Sequence, residues 1–169
     1  LQDKFKWSPS TIHKVDWETF SEIIKKYKDK WTTIVKHIHN ISPTGKISHR
    51  NNPYLPHECP ACNSPHETNH HVLTCPSRSR ALWRATTIQQ VRQHLTQKSD
   101  PHLIDILQDG LSRLHRQLDH IHPSQYPSRY TPLIESQNEI GWDQLYKGRW
   151  SIEWSAAQDS YKYRQAHHK

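Results

Sequence analysis

All three cysteines of the chain fall inside one window, Cys59-Pro-Ala-Cys62-Asn-Ser-Pro-His-Glu-Thr-Asn-His70-His71-Val-Leu-Thr-Cys75. With His71 the window reads Cys-x2-Cys-x8-His-x3-Cys, a complete set of four metal donors with no cysteine left over. Nothing else in the sequence restricts the fold as strongly, because two separate stretches of backbone must meet at one point. Cys59 and Cys62 offer two thiolates from a single turn, which Pro60, Pro65 and Asn63-Ser64 keep from becoming helical. His71 and Cys75 stand four residues apart and share a face if their segment is helical. Two ligands from a turn and two from a helix make a closed tetrahedral site of the structural kind, for which Zn2+ is the expected ion. His70 is the alternative ligand, although its five-residue separation from Cys75 matches one helical face less well. A disulfide framework is disfavoured, since three cysteines cannot all pair and Cys-x2-Cys is poor geometry for a scaffold bridge.

Composition sets the rest of the frame. Only 33% of the 169 residues are hydrophobic, mean hydropathy is −1.00, and there are 7 Trp, so the core must be thin and rich in large aromatics. The formal net charge of +7 suits a polyanionic partner. No apolar run approaches the roughly 20 residues that span a bilayer, and no targeting segment is visible. The expectation is an intracellular protein, nuclear or cytoplasmic and not secreted, without a membrane partner. The absence of Met and the opening Leu1-Gln2-Asp3 suggest a piece of a longer reading frame.

The fold class expected is mainly α, a helical domain with a Cys-Cys-His-Cys zinc knuckle between two helical segments. Residues 1–45 read as an N-terminal helical segment. Asp16 caps a helix with Trp17, Phe20, Ile24 and Tyr27 on one face, and a second helix turns Trp31, Ile34, Val35 and Ile38 inward. Residues 46–76 read as loop and knuckle, and 77–122 as a helical hairpin. Its first helix, about Ser79 to Gln97, has Leu82, Ala85, Ile88, Val91 and Leu95 as its apolar face. Its second starts at Asp100-Pro101 and stripes Leu103, Ile104, Leu107, Leu111, Leu114, Leu118 and Ile121. Residues 123–132 read as a linker. Residues 133–169 read as a final helix carrying Trp142, Leu145, Tyr146, Trp150 and Trp154, then a basic, histidine-ended tail. These aromatics are expected to be core, and mid-helix Gly110 to permit close packing. No strand pair and no internal repeat stand out.

The finger, with Cys59-Pro-Ala-Cys62-Asn63, Glu67-Thr68, His71 and Cys75-Pro76, resembles the zinc-binding region that follows the polymerase domain in non-LTR-like retrotransposon reverse transcriptases. Ile34-Val35-Lys36, His39-Asn40 and Pro43-Thr44 ahead of it, and the Gly141-Trp142 to Trp154 end, look similar too. The resemblance implies a zinc domain that contacts template RNA or target DNA, with the rest of its own polyprotein as a further partner.

No catalytic centre is evident, and the chain is not expected to be an enzyme. There is no Asp-Asp dipeptide to hold paired magnesium ions and no Pro-Asp of a restriction-like nuclease. A zinc protease needs His-Glu-x-x-His with an open metal position, and Glu67-x2-His70 is read as not preceded by the required pattern. For nucleic acid, Arg78, Arg80 and Arg84 follow the finger directly and can fork onto phosphates. His49 and Arg50 extend that patch, and Tyr54 is a candidate for stacking on an unpaired base. Lys25, Lys26, Lys28, Lys30 and Lys36 read more simply as the solvated faces of amphipathic helices. The competing possibility is a zinc-stapled helical protein-interaction or scaffold domain. It predicts acids among the arginines and an exposed apolar groove, whereas the nucleic-acid module predicts one continuous positive surface. A decayed retroelement remnant is a third possibility.

Overall fold

The structure, a computed structural model, describes residues 7–118 and 120–167. The Leu1-Gln2-Asp3 opening and residues 168–169 of the tail lie outside them. The architecture is mainly α, with no strand among the described residues beyond a lone antiparallel bridge between Val15 and Ser151. The α-helices are α1 (Pro9–His13), α2 (Trp17–Lys26), α3 (Trp31–Ile38), α4 (Gly45–Asn51), α5 (Asn69–Thr74), α6 (Arg78–Leu95), α7 (Pro101–Arg116), α8 (Thr131–Ile140) and α9 (Glu153–His167). Among them no helix is long and apolar enough to cross a membrane.

Local chemistry sets the helix starts. Asp16 accepts from the Thr19 amide at the head of α2, and Ser77 accepts from the Arg80 amide at the head of α6. Asp100 caps α7 by accepting from the His102 amide, with Pro101 in the first turn where its missing N–H costs nothing. Buried Asp100 also accepts from Tyr130 Oη, which ties the start of α7 to the approach to α8.

The core gathers Leu103, Ile106, Leu107 and Leu111 of α7, Leu133 and Ile134 of α8, and Ile121, Tyr130, Trp142, Leu145 and Trp154. The aromatics expected inside are there: Trp154 meets Trp142 and Trp150 edge-on, at ring separations of 6.4 and 5.3 Å. At Gly110 the close approach is severe, since a Cβ would stand 2.1 Å from the Trp142 ring.

Several expectations are corrected. Residues 123–132 are packed structure rather than a linker, with two 3-10 turns and a fully buried Tyr130. Helix α8 follows them, where one long final helix is expected. That final helix is in fact broken. Trp142–Lys147 forms 3-10 turns bracketed by Gly141 at φ 102° and Gly148 at φ 77°, and regular helix resumes only at Glu153. Gln137 holds the reversal together. Its Oε1 accepts from the Ser151 amide and Trp154 Nε1, while its Nε2 donates to the Gly141 carbonyl. The basic tail is itself helical to His167. Residues 45–51, expected as loop, form α4. Trp31 is 52% exposed rather than inward, and α7 stops at Arg116, leaving Leu118 exposed and Ile121 buried beyond it.

The apolar face assigned to α6 is rotated. Leu82 is 67% exposed and Val91 faces water, while Arg84 is buried and Ile88 and Leu95 pack on the core. The inward stripe therefore runs Arg84, Ile88, Leu95. Beside Arg84 lies His115, whose Nε2 is 2.6 Å from Tyr146 Oη. Burial, then the Arg84 charge, hold the His115 ring down to about 4.

Two outcomes follow. Gly110→Ala should destabilise the fold by roughly 2 kcal/mol, because overpacking against Trp142 outweighs the propensity gained, whereas Leu82→Ala should stay within about 0.5 kcal/mol. Paired urea titrations read the difference. His115 is neutral in the folded state and protonates near its ordinary 6.5 when unfolded, so its stabilisation is complete above pH 6.5 and declines as pH falls toward 4. Urea midpoints between pH 7 and 4.5 should fall less steeply for His115→Gln than for the parent chain.

Candidate metal centre

The first ligand pair sits on a turn closed by two backbone hydrogen bonds, Cys59 N–H to the Ser64 carbonyl and Asn63 N–H to the Cys59 carbonyl, both 2.8 Å. Asn63 takes φ 58°, the left-handed conformation that asparagine tolerates, and this folds the turn back on itself. The second pair comes from α5. Thr68 caps it by accepting from the His71 amide at 3.0 Å, and Cys75 follows its last residue. The result is a convergence of Cys59, Cys62, His71 and Cys75, with all four donor atoms within 4.8 Å of one another. Cys59 Sγ and Cys75 Sγ are 3.8 Å apart, and Cys62 Sγ and His71 Nε2 are 3.2 Å apart. A disulfide would need about 2.0 Å. A tetrahedron with metal–sulfur bonds of about 2.3 Å has sulfur–sulfur edges of about 3.8 Å, so the spacing suits a shared ion.

The thiols differ in readiness. Burial alone would raise Cys75, but the Ser77 hydroxyl and amide and the Cys62 and Cys59 thiols outweigh it and bring it down to about 6. Cys62 accepts the Ser64 amide, which favours its thiolate, yet desolvation and the two neighbouring thiols leave it raised. One negative charge forms easily here and resists a second. A dication removes that resistance, which is why such sites bind metal and release protons together.

His70, the alternative ligand, is exposed and outside the converging group. Residues His66-Glu67-Thr68-Asn69-His70 also spell the His-Glu-x-x-His of zinc proteases, which the sequence reading overlooked. The fold gives that spacing no such role. Helix α5 begins only at Asn69, the His66 ring leans on His57, and His66 and His70 join no group of three or more possible ligands among the described residues.

Glu67 is the residue whose importance the sequence reading missed. It is 6% exposed, and both carboxylate oxygens are engaged: Oε2 accepts from the Gly45 amide at 2.8 Å and Oε1 accepts from Arg80 Nη2 at 3.2 Å. Its carbonyl takes the Lys46 amide and its own amide reaches the His57 carbonyl. Glu67 thus places an acid on the arginine run that follows the finger, by pairing with Arg80. Gly45 is needed beside it, because a Cβ there would meet the His57 carbonyl oxygen at 2.7 Å.

The six residues read as a nucleic-acid surface differ in exposure and pairing. Arg84 is buried, and Arg80 is neutralised by Glu67. Arg78 and Arg50 are exposed, and Tyr54 is 96% exposed. His49 is half-buried, with Nδ1 2.7 Å from the Leu55 carbonyl and its ring 5.0 Å from that of His57. A different group of cations is brought together. Lys46 and Arg50 of α4 line a cleft of about 400 Å³ between α3, α4, α5 and the 3-10 turn at 142–147.

Removal of single ligands separates the two histidines. With Co2+ as a spectroscopic probe, Cys75→Ser and His71→Ala should lose the d–d bands of a tetrahedral thiolate site, while His70→Ala should keep them at one ion per chain.

No protein-family model, curated protein or solved structure matches the chain.

Proposed function

We propose that the chain is a zinc-stabilised nucleic-acid-binding module of a retroelement reverse-transcriptase polyprotein, contacting template RNA or target DNA in the nucleus or cytoplasm. Zinc is the ion favoured by three thiolates and one imidazole in a closed tetrahedral set. The Cys-Pro-Ala-Cys window, with Glu67-Thr68 and Cys75-Pro76, supports the retroelement origin. The polymerase chemistry itself belongs to other parts of such a polyprotein.

The observation that carries the binding reading is the set of cations around the knuckle left without acids. No ion pair among the described residues involves Lys46, Arg50 or Arg78. The same holds for Lys25, Lys26, Lys28, Lys30 and Lys36 on the N-terminal helices. Binding through such groups is mostly indifferent to sequence and releases counterions, so it weakens steeply with salt.

A second reading draws on the outer face of α6. Leu82 and the adjacent Trp83, 46% exposed, stand beside an arginine already paired with Glu67. That is the mixture a zinc-stapled protein-interaction or scaffold domain would present.

A salt-titrated binding assay of the zinc-loaded protein on single- and double-stranded RNA and DNA separates them. The nucleic-acid reading expects submicromolar binding that falls at least tenfold between about 50 and 200 mM salt. Lys46→Ala/Arg50→Ala/Arg78→Ala should weaken it by a further tenfold or more, and Leu82→Ala/Trp83→Ala should leave it unchanged. Absence of binding by folded, zinc-loaded protein would leave the scaffold reading.

A further inference from the structure

The cleft beside the knuckle is more than a patch of positive charge. Its two free cations, Lys46 and Arg50, share it with a single carboxylate, Asp143, and that carboxylate is held by Lys147 at 2.8 Å. An anion entering the cleft therefore meets two unpaired cations with the opposing acid already neutralised. The walls also carry amides with no partner. The side chains of Asn40 and Asn69 make no hydrogen bond among the described residues, and both line the cleft. Each offers a carbonyl acceptor and two N–H donors in the pattern that reads a nucleobase edge.

One wall is aromatic and fixed. Tyr146 lines the cleft while its hydroxyl is bonded to His115, and its backbone carbonyl is 2.7 Å from His37 Nε2, so the residue is held at its hydroxyl and at its backbone. Burial raises the Tyr146 phenol to about 12, so this wall stays uncharged. Thr44, nine-tenths buried, also lines the cleft, and its hydroxyl has no hydrogen-bond partner. The volume, about 400 Å³, lies within the range of small-molecule sites. A plain phosphate would use the cations and leave the amides and the aromatic wall idle. An apolar ligand would strand the cations.

We infer that this cleft is a nucleotide site, taking one unpaired nucleotide with its phosphate at Lys46 and Arg50 and its base edge at Asn40 and Asn69. The inference deepens the nucleic-acid reading and rests on it for the source of that nucleotide, a bound strand whose base is free to leave its stack.

The test uses the full zinc-loaded chain, titrated by calorimetry with AMP, GMP, CMP and UMP, and with inorganic phosphate as the control. The expected result is at least one mononucleotide binding tenfold or more tighter than phosphate. Asn40→Gly, which keeps the left-handed φ of 59° at that position, and Asn69→Ala should each erase most of that preference. Lys46→Ala should weaken nucleotide and phosphate alike. Equal affinity for nucleotides and phosphate would overturn the inference, leaving a site for anions in general. No binding of either would overturn it too. If strands are still bound tightly in those cases, the functional reading stands and only the cleft is misassigned. If mononucleotides bind and strands do not, the cleft stands and the strand-binding reading falls.

Discussion

Buried Glu67 bonds at once to three neighbouring parts of this molecule, α4, α6 and the metal loop. One oxygen takes the first amide of α4 and the other takes an arginine of α6, while the backbone on either side is that of the metal loop. Remove it and two donors lose their acceptor in a region with little apolar surface to compensate. A buried charge is expensive unless paired and hydrogen-bonded, and here it is both. The tight contact at Gly45 has the same origin, because α4 can reach Glu67 only by passing against the backbone at His57.

The remainder of the fold shows how a chain with few hydrophobic residues still builds a main core, beside a smaller cluster of Trp7, Val15 and Ile140. Leucines and isoleucines make up most of the main core, Tyr130, Trp142 and Trp154 add large surfaces, and buried polar side chains fix the orientation of those rings. Gln137 receives both an indole N–H and a backbone amide, and Asp100 receives a tyrosine hydroxyl while capping a helix. Each of these groups is satisfied, which is the condition for a polar network to specify a structure rather than weaken it.

How much of this could be read from the residues alone varies with the range of the forces involved. The metal set was legible because coordination imposes fixed spacing, and the heads of α2 and α7 because capping is local chemistry at Asp16 and Asp100. The break over residues 141–152 was hidden by aromatics that keep helical spacing across Gly148, whose positive φ is a tertiary demand. Periodicity around α6 pointed to Leu82 as core, since apolar residues are the usual guide to an inward face. The inward face carries Arg84, Ile88 and Leu95 instead, with Arg80 one turn earlier paired to Glu67 thirteen residues upstream, and no window of local pattern contains that information. The surroundings of the candidate binding residues were hidden for the same reason, with Arg84 buried and Arg80 paired to Glu67. Arg78 stays exposed on the same helix, and Lys46 and Arg50 line the cleft.

The Glu67 attachment has a thermodynamic corollary. Because the metal loop and the cleft share one clamp, ion occupancy and cleft shape cannot be independent variables. Any molecule that prefers the cleft of the metal-loaded chain must, by reciprocity, raise the chain's hold on its ion by the same factor. On that linkage, an occupant of the cleft guards the ion against chelators, and metal is lost most readily from chains whose cleft is empty.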